Sequence, residues 1–242
     1  MRRVGHGSSR WFSPYGRICQ VPIKDIKDKF IEVFARWGKC GAMRVDNGEP
    51  LGNPQRKTTS PLSLWLIAND IDMIFNKPFC PKANAKVERM QAVSARWAEV
   101  HQAKNVIDLQ ARLDRESLFQ RTAFPVSRLG YKTRTQVFPE LETSRRVYQP
   151  LMFDEKRVYE FLSKKIYIRL VSKTGQIFIF GQRFALGAVF KSQYVQLKFD
   201  PLLCQWNVFI GDKIIKNIPA KNLSKINIQN LTVYEQQILA ET

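Results

Sequence analysis

The stretch AMRVDNGEP, residues 42–50, joins a short apolar run to an Asp-Asn-Gly turn. The run 42–45 predicts a short buried strand, and Asp46 stands directly at its end. Asn-Gly is the strongest short signal for a hairpin turn, so one interpretation makes Asp46 an ordinary turn residue. An Asp at the carboxyl end of an α/β strand also faces the crevice where such sheets bind ligands, so the other interpretation makes Asp46 half of a metal site.

Hydrophobic periodicity around this stretch predicts alternating short strands and helices, which is the pattern of an α/β fold. Ser60-Pro61 is a good pair for the start of a helix, and Gly38 is placed to end one. In order, the predicted elements are strand 16–22, helix 23–38, strand 42–45, helix 61–69, strand 72–76, helix 84–99 and helix 105–122.

The last third of the chain has a different character. Five short β-type runs follow one another, separated by turn signals. In one of them Val195, Leu197 and Phe199 alternate with polar residues, which predicts a sheet with one buried and one wet face. Five strands at this spacing predict a small closed or nearly closed all-β barrel. The runs are KIYIRLV, QIFIF, YVQLKFD, QWNVFI and KIIKNIP.

The charge of the chain points to a polyanionic partner. The net charge is +18 and the isoelectric point about 10.0. Residues 143–242 alone hold 15 basic and 7 acidic residues, a net +8, so the excess is spread over the whole chain. Spread basicity favours nucleic acid, although a generic basic protein would show the same balance.

Several other classes of protein are disfavoured by the composition. The four cysteines are far apart and there are only two histidines, so zinc-ligand spacing is absent and free thiols in a reducing cytoplasm are the better interpretation. No apolar run approaches the length of a membrane span, and the first residues lack the apolar region of a secretory signal.

The helix 84–99 carries a second carboxylate in a mixed setting. On a helical wheel, Glu88 lies between an apolar face and a cationic face, with Asn84 beneath it. By the geometry of the helix alone, a surface glutamate that pairs with its neighbours is the favoured interpretation. The apolar face holds Val87, Met90, Ser94, Trp97 and Ala98, and the cationic face holds Lys86, Arg89 and Arg96.

Taken together, the two carboxylates resemble a known constellation. The pattern D-N-G, followed about forty residues later by P-x-x-N-x-x-x-E, resembles the D,D-E core of integrase-like transposases of bacterial insertion sequences, part of the retroviral-integrase superfamily. The segments 125–141 and 172–187 look like the end of that core and its small C-terminal barrel. The pattern is carried by Asp46, Asn47, Gly48, Pro81, Asn84 and Glu88.

The resemblance implies a ribonuclease-H-like core followed by an SH3-like barrel. It implies Asp46 and Glu88 as catalytic, metal-binding carboxylates for Mg²⁺ or Mn²⁺, with Asn47, Gly48 and Asn84 in support. Hard cations prefer such oxygen ligands, and two of them promote in-line phosphoryl transfer. The wheel adds phosphate-binding cations from this helix, namely Lys82, Lys86, Arg89 and Arg96.

One part of the pattern has no counterpart. The family's first Asp lies on its first strand, whereas here the acidic residues ahead of Asp46 are Asp25, Asp28 and Glu32, all in the predicted helix 23–38. We therefore expect an N-terminally truncated core that lacks its first strands, binds metal weakly and is inactive alone. The expected domains are a disordered N-terminus (1–14), a partial integrase catalytic core (15–142), a linker (143–154) and a C-terminal β-barrel DNA-binding domain (155–242).

The favoured hypothesis is a transposition-type protein that binds DNA but is catalytically incomplete. Two alternatives stay open, namely an enzyme that is active when another chain supplies the Asp-bearing strand, and a regulatory fragment that binds DNA or a transposase. The expected partners are transposon-end and target DNA, further copies of the chain or a full-length transposase, with no membrane. The expected location is the bacterial cytoplasm, in association with the nucleoid.

Overall fold

A computed structural model describes residues 9–12, 18–52, 57–77, 85–143 and 146–235 as mixed α/β structure. The strands are β1 (Ser9–Phe12), β2 (Ile18–Val21), β3 (Ala42–Val45), β4 (Asp72–Phe75), β5 (Ile166–Leu170), β6 (Gln176–Ile179), β7 (Gln182–Ala185), β8 (Tyr194–Asp200), β9 (Gln205–Ile210) and β10 (Lys213–Pro219). The α-helices are α1 (Ile23–Trp37), α2 (Pro61–Ala68), α3 (Ala85–Trp97), α4 (Val106–Thr122), α5 (Arg134–Val137), α6 (Glu140–Thr143), α7 (Glu155–Ser163) and α8 (Lys225–Asn230).

The elements predicted between residues 16 and 122 are confirmed, with ends that shift by one or two residues. Within the segment 1–14, predicted to be disordered, residues 9–12 form β1, which pairs antiparallel with β2. The remaining residues of that segment lie outside the described ranges.

The chain divides into two compact units. The first takes in the residues up to 33, 40–75 and the residues from 148 onward, and the second takes in 34–39 and 76–147. The predicted division into core, linker and barrel domain stays a prediction. In the first unit, helix α2 contacts β4 as well as the C-terminal helices α7 and α8, so residues before and after the predicted linker share one core.

A parallel β-α-β unit lies at the centre of the first unit. Strands β3 and β4 pair in parallel, with Ala42 opposite Asp72 and Val45 opposite Phe75, and α2 connects them. Helix α2 is apolar on every side, with the sequence PLSLWLIA, and every residue from Leu62 to Ala68 is buried. A helix without a polar face has to be covered all round, which explains why it packs against several elements at once.

Helix α2 begins at a buried cap that can be tested. The Ser60 hydroxyl accepts a hydrogen bond from the Ser63 N–H at 3.1 Å and donates one to the Leu51 carbonyl at 2.8 Å. We expect Ser60→Ala to lower the free energy of unfolding by about 1–2 kcal/mol, because the cap and a buried hydrogen bond are lost together. Urea denaturation followed by circular dichroism measures this.

The matched control is Ser224→Ala at the start of α8. That cap is only partly buried and its bond from the Asn227 N–H is longer, at 3.4 Å. We expect the smaller loss there, and a loss equal to or larger than that of Ser60→Ala would contradict the assignment.

The C-terminal strands form an open antiparallel sheet in the order β10-β9-β8-β5. All five predicted runs are strands, and β8 buries Val195, Leu197 and Phe199 on one face as its alternation predicts. The prediction is a closed or nearly closed all-β barrel; the sheet is not a closed barrel, and helices α7 and α8 accompany it. Strands β6 and β7 form a separate hairpin, so among the described residues the sheet ends at β5 and β10.

Helices take the place of barrel closure in burying the inner face of this sheet. Helix α7 packs on β8, where the rings of Tyr159 and Phe199 lie 5.5 Å apart. The Tyr159 hydroxyl donates to the Leu223 carbonyl at 3.0 Å and so ties α7 to the segment before α8. Val158, Leu162 and Ile228 of these helices are fully buried, so the face that closure would cover is already covered.

The turn between β6 and β7 is unusual because a large aromatic residue occupies it. Phe180 and Gly181 have φ of 45° and 75°, the two positive values of a type I′ hairpin turn. Phe180 is nevertheless buried, and its ring stacks between Trp206 at 5.7 Å and Tyr234 at 5.6 Å. Burial of a Phe side chain, about 1.5–3 kcal/mol, outweighs the roughly 1–2 kcal/mol of a left-handed backbone.

Candidate nucleic-acid interface

Asp46 lies at the carboxyl end of β3, as the sequence predicts. Val45 is buried at the end of the strand and Asp46 is exposed immediately after it. Its Oδ1 accepts a hydrogen bond from the Gly48 N–H at 3.1 Å, which places Asp46, Asn47 and Gly48 together in one local turn. This turn leads from β3 into the connection to α2, and thus Asn-Gly does not join two hairpin strands here.

A glycine that the sequence did not single out closes the same loop. The Gly52 N–H donates to the Gly48 carbonyl at 2.6 Å, and a Cβ added at Gly52 would lie 2.0 Å from the carbonyl oxygen of Asn47. Only glycine fits at that distance, so Gly52 fixes the path of the loop behind Asp46. The sequence feature that could have identified this residue is a glycine six residues after Asp46.

Helix α3 carries Glu88 in its first turn, with Arg89 beside it and Arg96 near its end, and all three side chains are exposed. Arg89 and Arg96 take part in no ion pair among the described residues. Lys82 and Asn84, with Pro81, lie outside the described ranges, and of Lys86 only the backbone position on α3 is described.

The apolar face predicted for this helix is only partly buried. Ala98 is 4% exposed, whereas Val87 and Met90 are 50% and 57% exposed. The apolar face of the wheel is therefore not buried at Val87 and Met90 within the second unit as described. A wheel shows which residues share a face, but another element has to cover that face before it becomes core.

An open pocket at helices α3 and α4 is lined by aromatic rings and arginines, and also by Glu99 and Glu116. The ring of Trp97 lies 5.9 Å from Phe119 and 4.8 Å from Phe124. The pocket measures about 510 Å³, and Arg96, Arg112 and Arg115 are among the residues that line it. Sequence reasoning found Arg96 but not Arg115, because Arg115 lies on the next helix.

The arginines of this pocket differ in whether a described carboxylate pairs with them. Arg112 pairs with Asp108 at 3.2 Å and with Glu99 at 3.4 Å. The Lys104 backbone N–H, followed by the Arg112 side chain, holds the pKa of Asp108 below its usual value, so this carboxylate stays charged. Arg96 and Arg115 are exposed and have no ion pair in the described part of the chain, so their charge faces solvent.

The C-terminal sheet also exposes cations. Its four strands hold Arg169, Lys198, Lys213 and Lys216 against one acidic residue, Asp200. The Asp200 carboxylate is turned into the following turn, where it accepts from the backbone N–H groups of residues 202 and 203. Lys198 lies over the ring of Phe209 at 5.2 Å, a cation–π geometry that leaves its charge at the surface.

The described carboxylates do not assemble a metal centre. No group of three or more His, Cys, Asp or Glu side chains that could hold a metal ion occurs among the residues the structure describes. Asp46 belongs to the first unit and Glu88 to the second, and both side chains are exposed. A single exposed carboxylate meets only a small part of the coordination that Mg²⁺ requires.

A comparison with known protein families finds no family model that matches this chain. The resemblance to integrase-like transposases thus remains a prediction carried by the residues. Among the described helices, none has the length and apolar character needed to cross a membrane.

Proposed function

We propose that this chain is a DNA-binding protein of the transposition type. The observation that carries the proposal is the pair Arg89 and Arg96 on α3, both exposed and neither engaged in an ion pair among the described residues. Cations held apart from protein carboxylates remain available for phosphates, and their counterions are released on binding.

Further support comes from cations elsewhere in the chain. Arg115 adds a charge on α4, and Lys198, Lys213 and Lys216 add charges on the C-terminal sheet. Both units therefore contribute, in keeping with a net charge of +18 that is spread along the sequence. A partner with many regularly spaced negative charges, such as the DNA backbone, makes use of all of them.

The ribonuclease-H-like ancestry of the first part is the second element of the proposal. It is supported by the parallel β3-α2-β4 unit with Asp46 at the end of β3, and by a later helix that carries Glu88 in its first turn. In an open α/β sheet this edge is where ligands bind. Asp46, Asn47 and Gly48 would then belong to a former or partial active site.

The metal is the weakest part of this constellation. Mg²⁺ or Mn²⁺ is what the resemblance implies, yet the described residues contain no group of three or more His, Cys, Asp or Glu side chains that could hold a metal ion. They therefore do not fit a complete two-metal site, and no phosphoryl-transfer step follows from them. We therefore propose DNA binding without catalysis by the chain alone. Strand transfer by the purified chain in Mg²⁺ or Mn²⁺ would contradict this part of the proposal.

The α3 surface gives a direct test. We expect Arg89→Gln and Arg96→Gln each to weaken binding to duplex DNA by about three- to tenfold, to a similar extent for unrelated sequences, because each removes a phosphate contact and no base contact. Fluorescence anisotropy with a labelled duplex measures the dissociation constants.

Arg128→Gln is the matched control, since Arg128 is also an exposed arginine of the second unit but lies outside α3. Its effect should be smaller than that of either α3 variant. Equal affinities for the wild type and the α3 variants would remove α3 from the interface, and the absence of any DNA binding by the wild type would overturn the proposed function.

A further inference from the structure

The first unit contains an open pocket that combines cations with exposed apolar side chains. It measures about 680 Å³ and lies among β5, the β6–β7 hairpin and the segment around residue 57. Its cations are Lys57 and Arg169, and no carboxylate lines it. A pocket with positive charge alone selects for an anionic ligand.

The apolar wall of this pocket is exposed to an unusual degree. On β5, Ile168 and Leu170 are 58% and 53% exposed, and Tyr194 of β8, the cross-strand neighbour of Leu170, is 70% exposed. Phe178 of β6 is 47% exposed, although Ile177 and Ile179 on either side of it are buried. Alternation along β6 thus leaves the Phe178 side chain exposed at the pocket, and the sequence could not tell it from core.

The floor of the pocket is closely packed. Phe180 stacks on Trp206 and on Tyr234, and the Tyr234 hydroxyl donates to the Thr59 carbonyl at 2.7 Å. A Cβ added at Gly181 would lie 2.5 Å from the Tyr234 carbonyl oxygen, so the hairpin turn packs directly against the backbone of residue 234. Apolar and aromatic groups on a fixed floor favour a flat ligand that stacks.

The cations stand at the edges of this apolar surface. The Arg169 side chain donates to the Phe178 carbonyl through Nε at 3.0 Å and to the Ile168 carbonyl through Nη1 at 2.7 Å, and these two bonds hold the guanidinium in place. Burial lowers the pKa of Arg169, but a guanidinium remains charged at any physiological pH. On the hairpin, Arg183 lies over the Phe178 ring at 5.0 Å, which adds a further positive charge.

We infer that this pocket binds one unpaired nucleotide of a DNA strand, with the base against Tyr194 and Phe178 and its phosphate near Lys57 and Arg169. A nucleotide is both flat and anionic, and base stacking on aromatic side chains tolerates any sequence. Duplex DNA cannot present a base in this way, because its bases are stacked on each other. The inference rests on the proposed DNA binding and adds a preference for unpaired ends.

The test compares the binding of two DNA substrates to the 242-residue chain. One is a blunt duplex, and the other is the same duplex with an overhang of about five nucleotides that carries 2-aminopurine. We expect tighter binding of the overhang substrate and quenching of the 2-aminopurine fluorescence, since stacking quenches it. Tyr194→Ala should weaken overhang binding by about fivefold or more and abolish the quenching, but change blunt-duplex binding less than about twofold.

Tyr131→Ala is the control, because Tyr131 is 76% exposed and lies outside the pocket. Lys57→Gln tests the pocket cation, and Lys225→Gln, at an exposed lysine outside the pocket, is its control. Lys57→Gln should weaken overhang binding more than Lys225→Gln does. If the blunt duplex binds and the overhang adds neither affinity nor quenching, the pocket assignment is wrong and the proposed function stands. If neither DNA binds, both are overturned. Competition by anionic lipid vesicles as strong as that by the overhang oligonucleotide would show an anionic-amphiphile site and overturn the nucleotide assignment.

Discussion

Duplex DNA binding by this chain is expected to weaken by about a thousandfold or more when the salt concentration rises from about 50 to about 200 mM. The reason is the number of exposed cations on both units. A protein that neutralises about six to ten phosphates releases the counterions of each one, and added salt opposes that release. Anisotropy titrations across a salt series give the slope of log affinity against log salt concentration.

The size of the slope separates the proposal from its nearest alternative. A generic basic protein with scattered, self-neutralised charges should give a shallow slope, because few phosphates are contacted at once. Some arginines are indeed neutralised, as Arg36 is by Asp114 at 2.6 Å and Arg157 by Asp70 at 2.7 Å. The prediction depends on cations outside such pairs, including Arg89, and a slope shallower than about −5, which corresponds to less than the expected thousandfold loss, would contradict it.

An uncharged osmolyte is the control for this titration. Sucrose at matched osmolality changes water activity without adding counterions, so it should leave the affinity nearly unchanged. A loss of affinity in sucrose as large as that in salt would show that the salt effect is not electrostatic.

The sequence predicted local structure better than it predicted assembly. The helix starting at Ser60-Pro61 and the alternation of β8 follow from interactions within a few residues, so both appear where expected. The prediction of barrel closure was wrong because closure depends on whether β6 and β7 pair with the other strands. No sequence feature within a few residues distinguishes a hairpin that stays separate from one that joins the sheet. The same limit applies to Val87 and Met90, whose burial requires a covering element.

The candidate site shows the same division between local and long-range information. The turn formed by Asp46 and Gly48 could be predicted, since the carboxylate and the N–H it accepts from are two residues apart. The pocket around Tyr194 could not, because its members come from strands far apart in sequence and from the segment near Lys57. Phe178 and Phe180 stand in the same short run, yet only the pairing of β6 with β7 decides which of them is core.

The aromatic core under that pocket should dominate the stability of the first unit. Trp206 is 1% exposed, and its ring lies 4.9 Å from Phe199, 5.3 Å from Tyr167 and 5.7 Å from Phe180. We expect Trp206→Ala to lower the free energy of unfolding by about 3–5 kcal/mol, since the cavity is bounded by rings that are themselves held by neighbours. Such a loss is a large part of the roughly 5–15 kcal/mol that stabilises a typical protein.

Phe178→Ala is the matched control for Trp206→Ala. Both positions lie in C-terminal strands, but Phe178 is 47% exposed and the Arg183 guanidinium lies over its ring at 5.0 Å. We expect its loss to stay below about 1 kcal/mol, the size of an exposed cation–π contact. Hydrogen exchange of the β8 and β9 amides, measured by mass spectrometry, reports this unit directly and does not depend on Trp fluorescence. Faster exchange in Phe178→Ala than in Trp206→Ala would contradict the prediction, because the exposed ring of Phe178 would then stabilise the sheet more than the buried rings of Trp206 and Phe180. The pocket would in that case lack the packed floor on which base stacking depends.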